Sequence, residues 1–550
     1  MSVPTDLATA PSAPPTGRDP FRLALGCIVL LAVGIRLFLL FTAHATEEDF
    51  YITLRYVENI AHGVGFVYNP GAKVLGTTTP LYTLALALLM KLGLDPLLWG
   101  KLLGIAAEAC ACWFTYRLGR AIGRPGVGLA AALCLAIAPT NLVWATKGME
   151  VGIVAMAAVF TWMAWAEERE IPAWIGAAAL VLLRIDGMAL AFILLVASVW
   201  HTRRLPWRGL LTFAALLAPW LLYATLTFGS PVPVSLQAKL IVYGRLAGPG
   251  FPYLRPFLEL MLHNPLGALL GLGVLLYPVA LYITRFAPER ANPQGEAGRG
   301  AASSAPTGDA DPMAVQNRKG REGLLLAPLA WLLLYYGSMA LSKVFLFGWY
   351  FVPPTPIYYL VALTGWSLTL GLLGRAGVGA WEQLQARLAE SAAMSAMVTL
   401  LAGIALSLLI VPRVVATLKV GQSEEESLRV PIGLWLRDHS APGDNVMLEP
   451  IGYIGYYSRL PVVDMVGLVS PEVLPCYDRR NPSPYHTMWT QVQPAWILWR
   501  TGQLKELRDY EATLLAGERM EAHYTQVKVW PEGTGNSREP AIFTLFRRNP

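Results

Sequence analysis

Charge is what this chain has least of. Asp, Glu, Lys and Arg make up 15% of its 550 residues, against about a quarter in an ordinary soluble protein, and the mean hydropathy is +0.45. That scarcity excludes a soluble globular domain of this length. Cysteine is scarce too, with Cys27, Cys110, Cys112 and Cys134 inside apolar stretches and Cys476 alone, so neither a disulfide framework nor a zinc spacing can be drawn. The sequence has no Ser-His-Asp order, no phosphate-binding P-loop and no metal-ligand His pair. Nor does it show an internal repeat, which weakens a transporter built from inverted repeats. The basic excess is only +6 and collects in short segments without interleaved aromatics, which argues against nucleic acid as a partner.

What the chain does have is apolar runs approaching the ~20 residues that cross a bilayer. It therefore reads as a polytopic α-helical membrane protein with about eleven transmembrane helices. Residues 1–20, rich in Pro, Ala and Thr, read as a disordered cytoplasmic tail, and Arg18 and Arg22 place the N-terminus inside. Residues 44–96 then form the first outer loop. Within it, residues 81–94 are apolar but short, and read as a helix on the outer interface. That choice delivers Arg117, Arg120 and Arg124 to the cytoplasm, as the positive-inside rule asks. Further spans follow over 126–145, 149–166, a short pair at 172–184 and 187–201, then 209–228, 266–285, 323–341, 349–373 and 394–412. A second outer helix is expected near 234–243, and residues 286–322 read as a disordered cytoplasmic linker rich in Gly, Ala, Ser and Pro. The membrane domain thus covers 21–424. Residues 425–550 remain outside as a small α/β domain, with a helix over 427–439 and strands in NVMLEP, PVVDMV, AWILWR and AIFTLFR.

The polar groups that stand out gather on the outer face. Glu47, Glu48 and Asp49 open the first outer loop, and Lys147 and Glu150 fall in WATKGMEVG. Arg184 and Asp186 sit where the two short helices meet, Lys239 lies in the large outer loop, and Lys343, Trp349 and Tyr350 close the last outer turns. Ionisable residues near membrane depth are expensive and face a cavity or a partner. Acids and bases converging on one face suit a phosphate-bearing lipid substrate, with carboxylates as base or metal ligand and cations against phosphate. Each residue also has a plainer reading. The acids fit a solvated helix end, Arg184 and Asp186 an ion pair, Lys147 and Lys239 snorkelling lysines, and Trp349 and Tyr350 an interfacial aromatic belt.

The first-loop block EEDFYITLRYVENIAHGVGFVYNPGAKVLGTTTPLY resembles the matching loop of bacterial GT-C glycosyltransferases. Within these, it is most similar to the polyprenyl-phosphate-dependent group of terminal arabinofuranosyltransferases, which is related to the lipid A aminoarabinose and protein mannosyl transferases. Echoes follow in order at GMEVGIVA, LLRIDGMAL, SPVPVSLQAKL, WYFVPPTP and EPIGYIGYYSRLPVVDMVGLVSP, so the likeness runs from residue 46 to about 472. It implies a GT-C arrangement in the cell membrane and inverting transfer of one sugar from a polyprenyl-phosphate donor to a glycan, lipid or protein acceptor at the extracytoplasmic face. It carries the group's paired aspartates onto Glu48 and Asp49, its loop arginine onto Arg55 and its glutamate onto Glu150. The Arg and Asp pair falls on Arg184 and Asp186, and the lysine on Lys239. The chain departs from the group at Glu48 itself, at Phe50 in place of a small residue, at Leu75 in place of Glu, and at Val234-Ser235 in place of Asn-Thr.

On this reading Glu48 or Asp49 takes the acceptor's proton, and Arg184, Lys239 and Lys147 are the candidates to hold the leaving phosphate. The cofactor is open; a divalent cation, magnesium or manganese, falls to Glu48 or Asp49 if the reaction uses one. The competing class is a transporter or flippase of lipid-linked sugars.

Overall fold

In the computed structural model the described residues are 21–246, 265–286, 321–342, 345–375, 392–514, 517–531 and 542–550, with a few single positions between 247 and 264. The tail expected over 1–20, nearly all of the linker expected over 286–322, and Lys343 lie outside them. The chain begins as a helical bundle of α1 (Arg22–Ala43), α2 (Glu48–Ala61), α3 (Pro80–Lys91), α4 (Pro96–Ala121), α5 (Pro125–Ile137) and α6 (Pro139–Ala145). It continues with α7 (Val151–Ala166), α8 (Glu170–Leu183), α9 (Gly187–Thr202), α10 (Trp207–Phe228) and α11 (Val234–Leu246). The last bundle helices are α12 (Pro265–Phe286), α13 (Leu326–Leu341), α14 (Thr355–Arg375) and α15 (Ala392–Glu424). Proline at the first helical position starts α3, α4, α5 and α6, where its missing N–H costs nothing. Asp95 caps α4 by accepting from Leu97 N at 3.0 Å and Leu98 N at 3.2 Å.

Among the described residues, seven helices are long and apolar enough to cross a membrane, or eight if α5 and α6 form one span. Four more, α3, α7, α8 and α9, are apolar but shorter. The span expected over 126–145 is broken in the middle: Pro139 has no N–H to continue the ladder, and the chain bends by 55° between α5 and α6. Arg36 answers the carbonyls this break releases. Its Nη1 donates to Ala136 O at 2.9 Å and its Nη2 to Leu135 O at 3.3 Å, while Nη2 also meets Glu108 Oε2 at 3.0 Å. Asn141, one turn into α6, donates to both Glu108 oxygens at 3.1 and 3.2 Å and to Thr355 Oγ1 at 3.1 Å. Arg36, Glu108 and Asn141 are all fully buried, so this network pins the bend at the point from which α6 leads into Lys147 and Glu150.

The bundle has two differently charged ends. At one, the starts of α2, α7 and α9 meet the ends of α8 and α13, bringing Asp49, Glu150, Arg184, Asp186 and Ser338 together. At the other, arginines are tied across helix ends: Arg117 to Glu167 at 2.7 Å, Arg124 to Glu322 at 3.1 Å and Arg321 to Glu168 at 2.7 Å.

The boundary expected at 424/425 falls inside one helical run, in which α15 passes through a π turn (Glu425–Arg429) into α16 (Val430–His439). Beyond it lies a five-stranded sheet of order β2-β1-β3-β5-β4. The strands are β1 (Val446–Leu448), β2 (Val462–Asp464), β3 (Trp496–Arg500), β4 (Tyr524–Pro531) and β5 (Ile542–Arg548). β1 pairs parallel with β2 and β3, with Val446 opposite Val462 and Trp496, while β5 runs antiparallel between β3 and β4. Strand alternation gives the sheet two cores. Met447, Ile497, Trp499 and Phe546 pack on the helices at 484–492 and 501–512. Val446, Leu448, Trp496, Leu498, Phe543 and Leu545 pack on α16 and on Tyr56, Phe66, Tyr68 and Leu75 of the segment between α1 and α4.

Removing Glu108 leaves a buried guanidinium without its counter-charge. Glu108→Leu is expected to cost about 3–5 kcal/mol, read as a large drop in the thermal unfolding midpoint in detergent. A midpoint close to that of the unaltered protein would show that the pair does not hold the bend.

Candidate functional site

The sequence of α2, EDFYITLRYVENIA, is read by the fold as a three-sided rod, because each helical residue turns about 100° from the last. One side faces inward: Phe50, Leu54 and Val57 are buried in the bundle core. A second side, Glu48, Tyr51, Arg55 and Glu58, docks on the C-terminal domain. Glu48 Oε1 accepts from Gly452 N and from Tyr453 N at 3.2 Å, and its Oε2 accepts from Arg429 Nη1 at 3.1 Å. The Tyr51 hydroxyl lies 3.2 Å from that of Tyr457. Arg55 donates to Gly455 O and Leu460 O, each at 2.5 Å, and to Tyr68 O at 3.1 Å. Glu58 receives Tyr456 OH at 2.6 Å and pairs with Arg459.

The third side of α2, Asp49, Ile52 and Thr53, opens on a cavity of about 360 Å³. Of the ten residues singled out from the sequence, seven line it: Asp49, Glu150, Arg184, Asp186, Lys239, Trp349 and Tyr350. Three do not. Glu48 and Arg55 are held by the C-terminal domain as above, and Lys147 pairs with Glu47 at 2.7 Å while lying 4.5 Å over the Trp144 ring. Glu47, a bystander on the sequence alone, is thus the partner of Lys147.

Inside the cavity, Arg184 is shared by two carboxylates. Its Nη1 donates to Glu150 Oε1 at 3.0 Å and its Nη2 to Asp186 Oδ2 at 3.1 Å, with its guanidinium 5.3 Å from the Tyr350 ring centroid. Asp49 and Lys239 are different. Among the described residues the Asp49 carboxylate accepts no hydrogen bond and the Lys239 ammonium is in no ion pair; the latter lies 5.7 Å over the Phe347 ring. Enclosure drives the Asp49 carboxyl up to about 6; Lys239 pulls it down, while Glu47, Glu48 and Glu150 push it further up. Burial also raises Glu48, against the pull of Arg429 and the two backbone N–H groups.

Several lining groups gave little sequence signal. Thr77, Thr78 and Thr79 present hydroxyls from a loop that Gly76 allows to approach Leu468 O of the C-terminal domain. Ser235 is buried and lines the cavity one turn before Lys239, and among the described residues its Oγ has no hydrogen-bond partner. Trp349 is buried and stacked on Phe347 with centroids 4.3 Å apart, so one ring face is already used. Among the described residues no group of three or more His, Cys, Asp and Glu side chains is arranged to hold a metal ion. Glu150 and Asp186 turn onto Arg184, and Glu48 onto Arg429.

The whole arrangement, bundle and domain together, is matched by known structures. ArnT from Cupriavidus metallidurans, in a crystal structure with undecaprenyl phosphate, superposes with a TM-score of 0.55 over 95% of this chain and 97% of that one, at 13% identity. The Archaeoglobus fulgidus oligosaccharyltransferase, in a complex with zinc and sulfate, gives 0.51 over 93% and 72%, also at 13% identity. Both are GT-C glycosyltransferases. The chain has the GT-C fold. A mycobacterial arabinofuranosyltransferase, AftD, aligns with 95% of the chain and 40% of its own, with 15% identity and a TM-score of 0.46. Residues 416–546 match a family described as a domain of unknown function, DUF8728. Comparison of the sequence with curated proteins finds no match. Within the GT-C fold, the two cavity charges without a charged partner among the described residues, Asp49 and Lys239, stand on two separate helices, α2 and α11, and the C-terminal domain sets the rotation of the first.

Arg55 makes two hydrogen bonds to backbone carbonyls across this junction, at Gly455 and Leu460, and a third to Tyr68 O of its own loop. Arg55→Ala is expected to raise amide exchange and protease cleavage over residues 451–460 at least several-fold, with the bundle helices unaffected. Unchanged exchange over that segment would remove Arg55 from the docking role.

Proposed function

We propose that the protein transfers a single sugar from a polyprenyl-phosphate donor to a hydroxyl of a glycan, lipid or protein acceptor, inverting the anomeric centre. The observation that carries this reading is a pair of groups in one cavity of the GT-C fold that, among the described residues, have no charged partner: the Asp49 carboxylate, which accepts no hydrogen bond, and the Lys239 ammonium, which is in no ion pair. In the reaction, the acceptor oxygen bonds to C1 of the sugar as the C1–O bond to phosphate breaks. The bonding pair leaves on the lipid phosphate, and the acceptor's proton goes to Asp49. A carboxyl raised to about 6 is ionised at neutral pH yet more basic than an ordinary aspartate. Lys239 neutralises the leaving phosphate, and the unpartnered Ser235 hydroxyl one turn away supplies a donor beside it. Arg184, already holding Glu150 and Asp186, orients those carboxylates toward sugar hydroxyls, and Tyr350 gives the cavity an aromatic wall. Glu150 and Asp186, which line the cavity beside Asp49, are engaged by Arg184, and the reaction as written routes no step through a metal ion.

We further propose that α7, α8 and α9 cross the membrane with the eight longer spans, giving about eleven crossings with α3 lying at the interface. The arginines at the end opposite the cavity support an extracytoplasmic cavity and C-terminal domain. Collection of the reactive charges at one end, beside a folded domain, favours an enzyme over a flippase.

Asp49→Asn is expected to lower kcat by about 10²–10⁴-fold with the folded state intact by size exclusion; turnover within a few-fold of normal would exclude Asp49 as the base. The base form is lost as pH falls through about 6, so transfer by the unaltered enzyme should drop about ten-fold per pH unit below it. A profile flat from pH 5 to 8 would contradict this. Lys239→Met is expected to cost about 10²–10³-fold in kcat, measured as release of polyprenyl phosphate from a radiolabelled donor; a change confined to KM would instead make Lys239 a binding group only.

A further inference from the structure

At the end of the bundle opposite Asp49, a second and larger cavity of about 500 Å³ lies between the second half of α9 and the start of α13. Its chemistry is graded along its length. Val196 and Trp200, one turn apart on α9, and Ala330 on α13 make an apolar wall, and His201, Arg285 and Arg321 stand at its end. The wall opens sideways onto the outside of the bundle, since Trp200 is 72% exposed, Val196 49% and Leu326 43%. In a membrane-spanning helix pair such a surface faces lipid, not water.

The two arginines of the basic end are brought together by one turn. The Arg285 guanidinium lies against Gly323, which belongs to the 3₁₀ turn Arg321–Leu325 that begins with Arg321. Arg321 is engaged by Glu168, but both side chains are largely exposed, at 43% and 66%. Such a pair is held weakly and can be exchanged for a stronger anion. Arg117 and Arg120 flank Arg321 in an adjoining recess, which Glu167 also lines, paired with Arg117 at 2.7 Å, so three basic side chains there face one acidic one and the local field is positive.

We infer that this groove binds one anionic glycerophospholipid of the leaflet at that end of the bundle, its phosphate on Arg285 and Arg321 and one acyl chain along Val196, Trp200 and Ala330. A guanidinium pair matches a phosphodiester's oxygens, and basic pockets between helices at the bundle's basic end are where anionic headgroups collect. The site is far from the transfer cavity and shares none of its residues. Its ligand is a structural lipid of the membrane, neither the sugar donor nor the acceptor.

The test is lipid retention by the full-length protein. The protein is purified in mild detergent after reconstitution in equimolar phosphatidylglycerol and phosphatidylcholine, and the bound lipid is measured by native mass spectrometry. One phosphatidylglycerol should remain per chain, and the doubly substituted Arg285→Gln, Arg321→Gln protein should retain about ten-fold less. Ala197→Trp, which fills the groove without touching charge, should lose it as well, while both variants keep their size-exclusion profile and sugar transfer. Three results would overturn the inference. These are equal retention of phosphatidylcholine, retention by the arginine variant equal to that of the unaltered protein, or binding that emerges only after deletion of residues 290–316. The last outcome would make the chain's own linker the occupant. None of these readouts depends on which sugar is transferred, so failure here leaves the transferase reading standing.

Discussion

The Glu48 carboxylate is buried where α2 meets the C-terminal domain, receiving two consecutive backbone N–H groups and the Arg429 guanidinium. Holding one residue of a helix in this way fixes the rotation of all the others. Tyr51, Arg55 and Glu58 fall on the same side and add their own bonds to the domain, while Asp49, one step around, is turned into the cavity. There is little slack in that rotation. Gly452 has no room for a Cβ beside Glu48, and Gly148 has none beneath the ring of Phe50. The position of the free carboxylate is therefore decided by groups outside the cavity.

The same division of labour separates paired from unpaired charge. Burying a charge is costly unless a partner and hydrogen bonds replace water. Arg36 with Glu108, Arg184 with Glu150 and Asp186, and Arg429 with Glu48 and Glu425 all meet that condition. Among the described residues Asp49 and Lys239 do not, and each lies in the other's field without forming an ion pair. Groups left in that state are poised to gain a partner, and on the proposed reading the acceptor's hydroxyl supplies one for Asp49 and the donor's phosphate one for Lys239.

Much of this was legible in the sequence. The acids of EEDFYITLRY, the RID junction and the AKL lysine stood out because charge in an apolar chain is rare, and the cavity does bring Asp49, Glu150, Arg184, Asp186 and Lys239 together. Which of Glu48 and Asp49 is free was not legible, since that depends on a domain some 400 residues later along the chain. Arg36 and Glu108 went unnoticed because each is a single charge in an apolar run, with its partner on another helix. Strand β4 was missed because TQVKVW alternates polar and apolar residues weakly, and its pairing with β5 supplies what its own sequence lacks. Lys147 is grouped with the site by position and Arg55 by resemblance, and the fold turns both away from the cavity.

The core shared by the first loop and the C-terminal sheet explains one departure that looked like a loss. Where the resembling group carries a glutamate, this chain has Leu75, and it is 2% exposed among Tyr56, Phe66, Leu448 and Val469. A carboxylate there would be desolvated without a partner, so the substitution goes with the apolar face it meets. Asn69 completes the join by pairing with both the N–H and the carbonyl of Val462, as a neighbouring strand would at the free edge of β2. Loop and sheet are thus one folding unit, although a long stretch of bundle separates them in sequence. The turn held by Asp464, which accepts from Val466 N and Leu468 N, places Leu468 on the cavity wall. The wall facing Asp49 is consequently formed only when the domain is docked, and the docking is the same contact that aims Asp49.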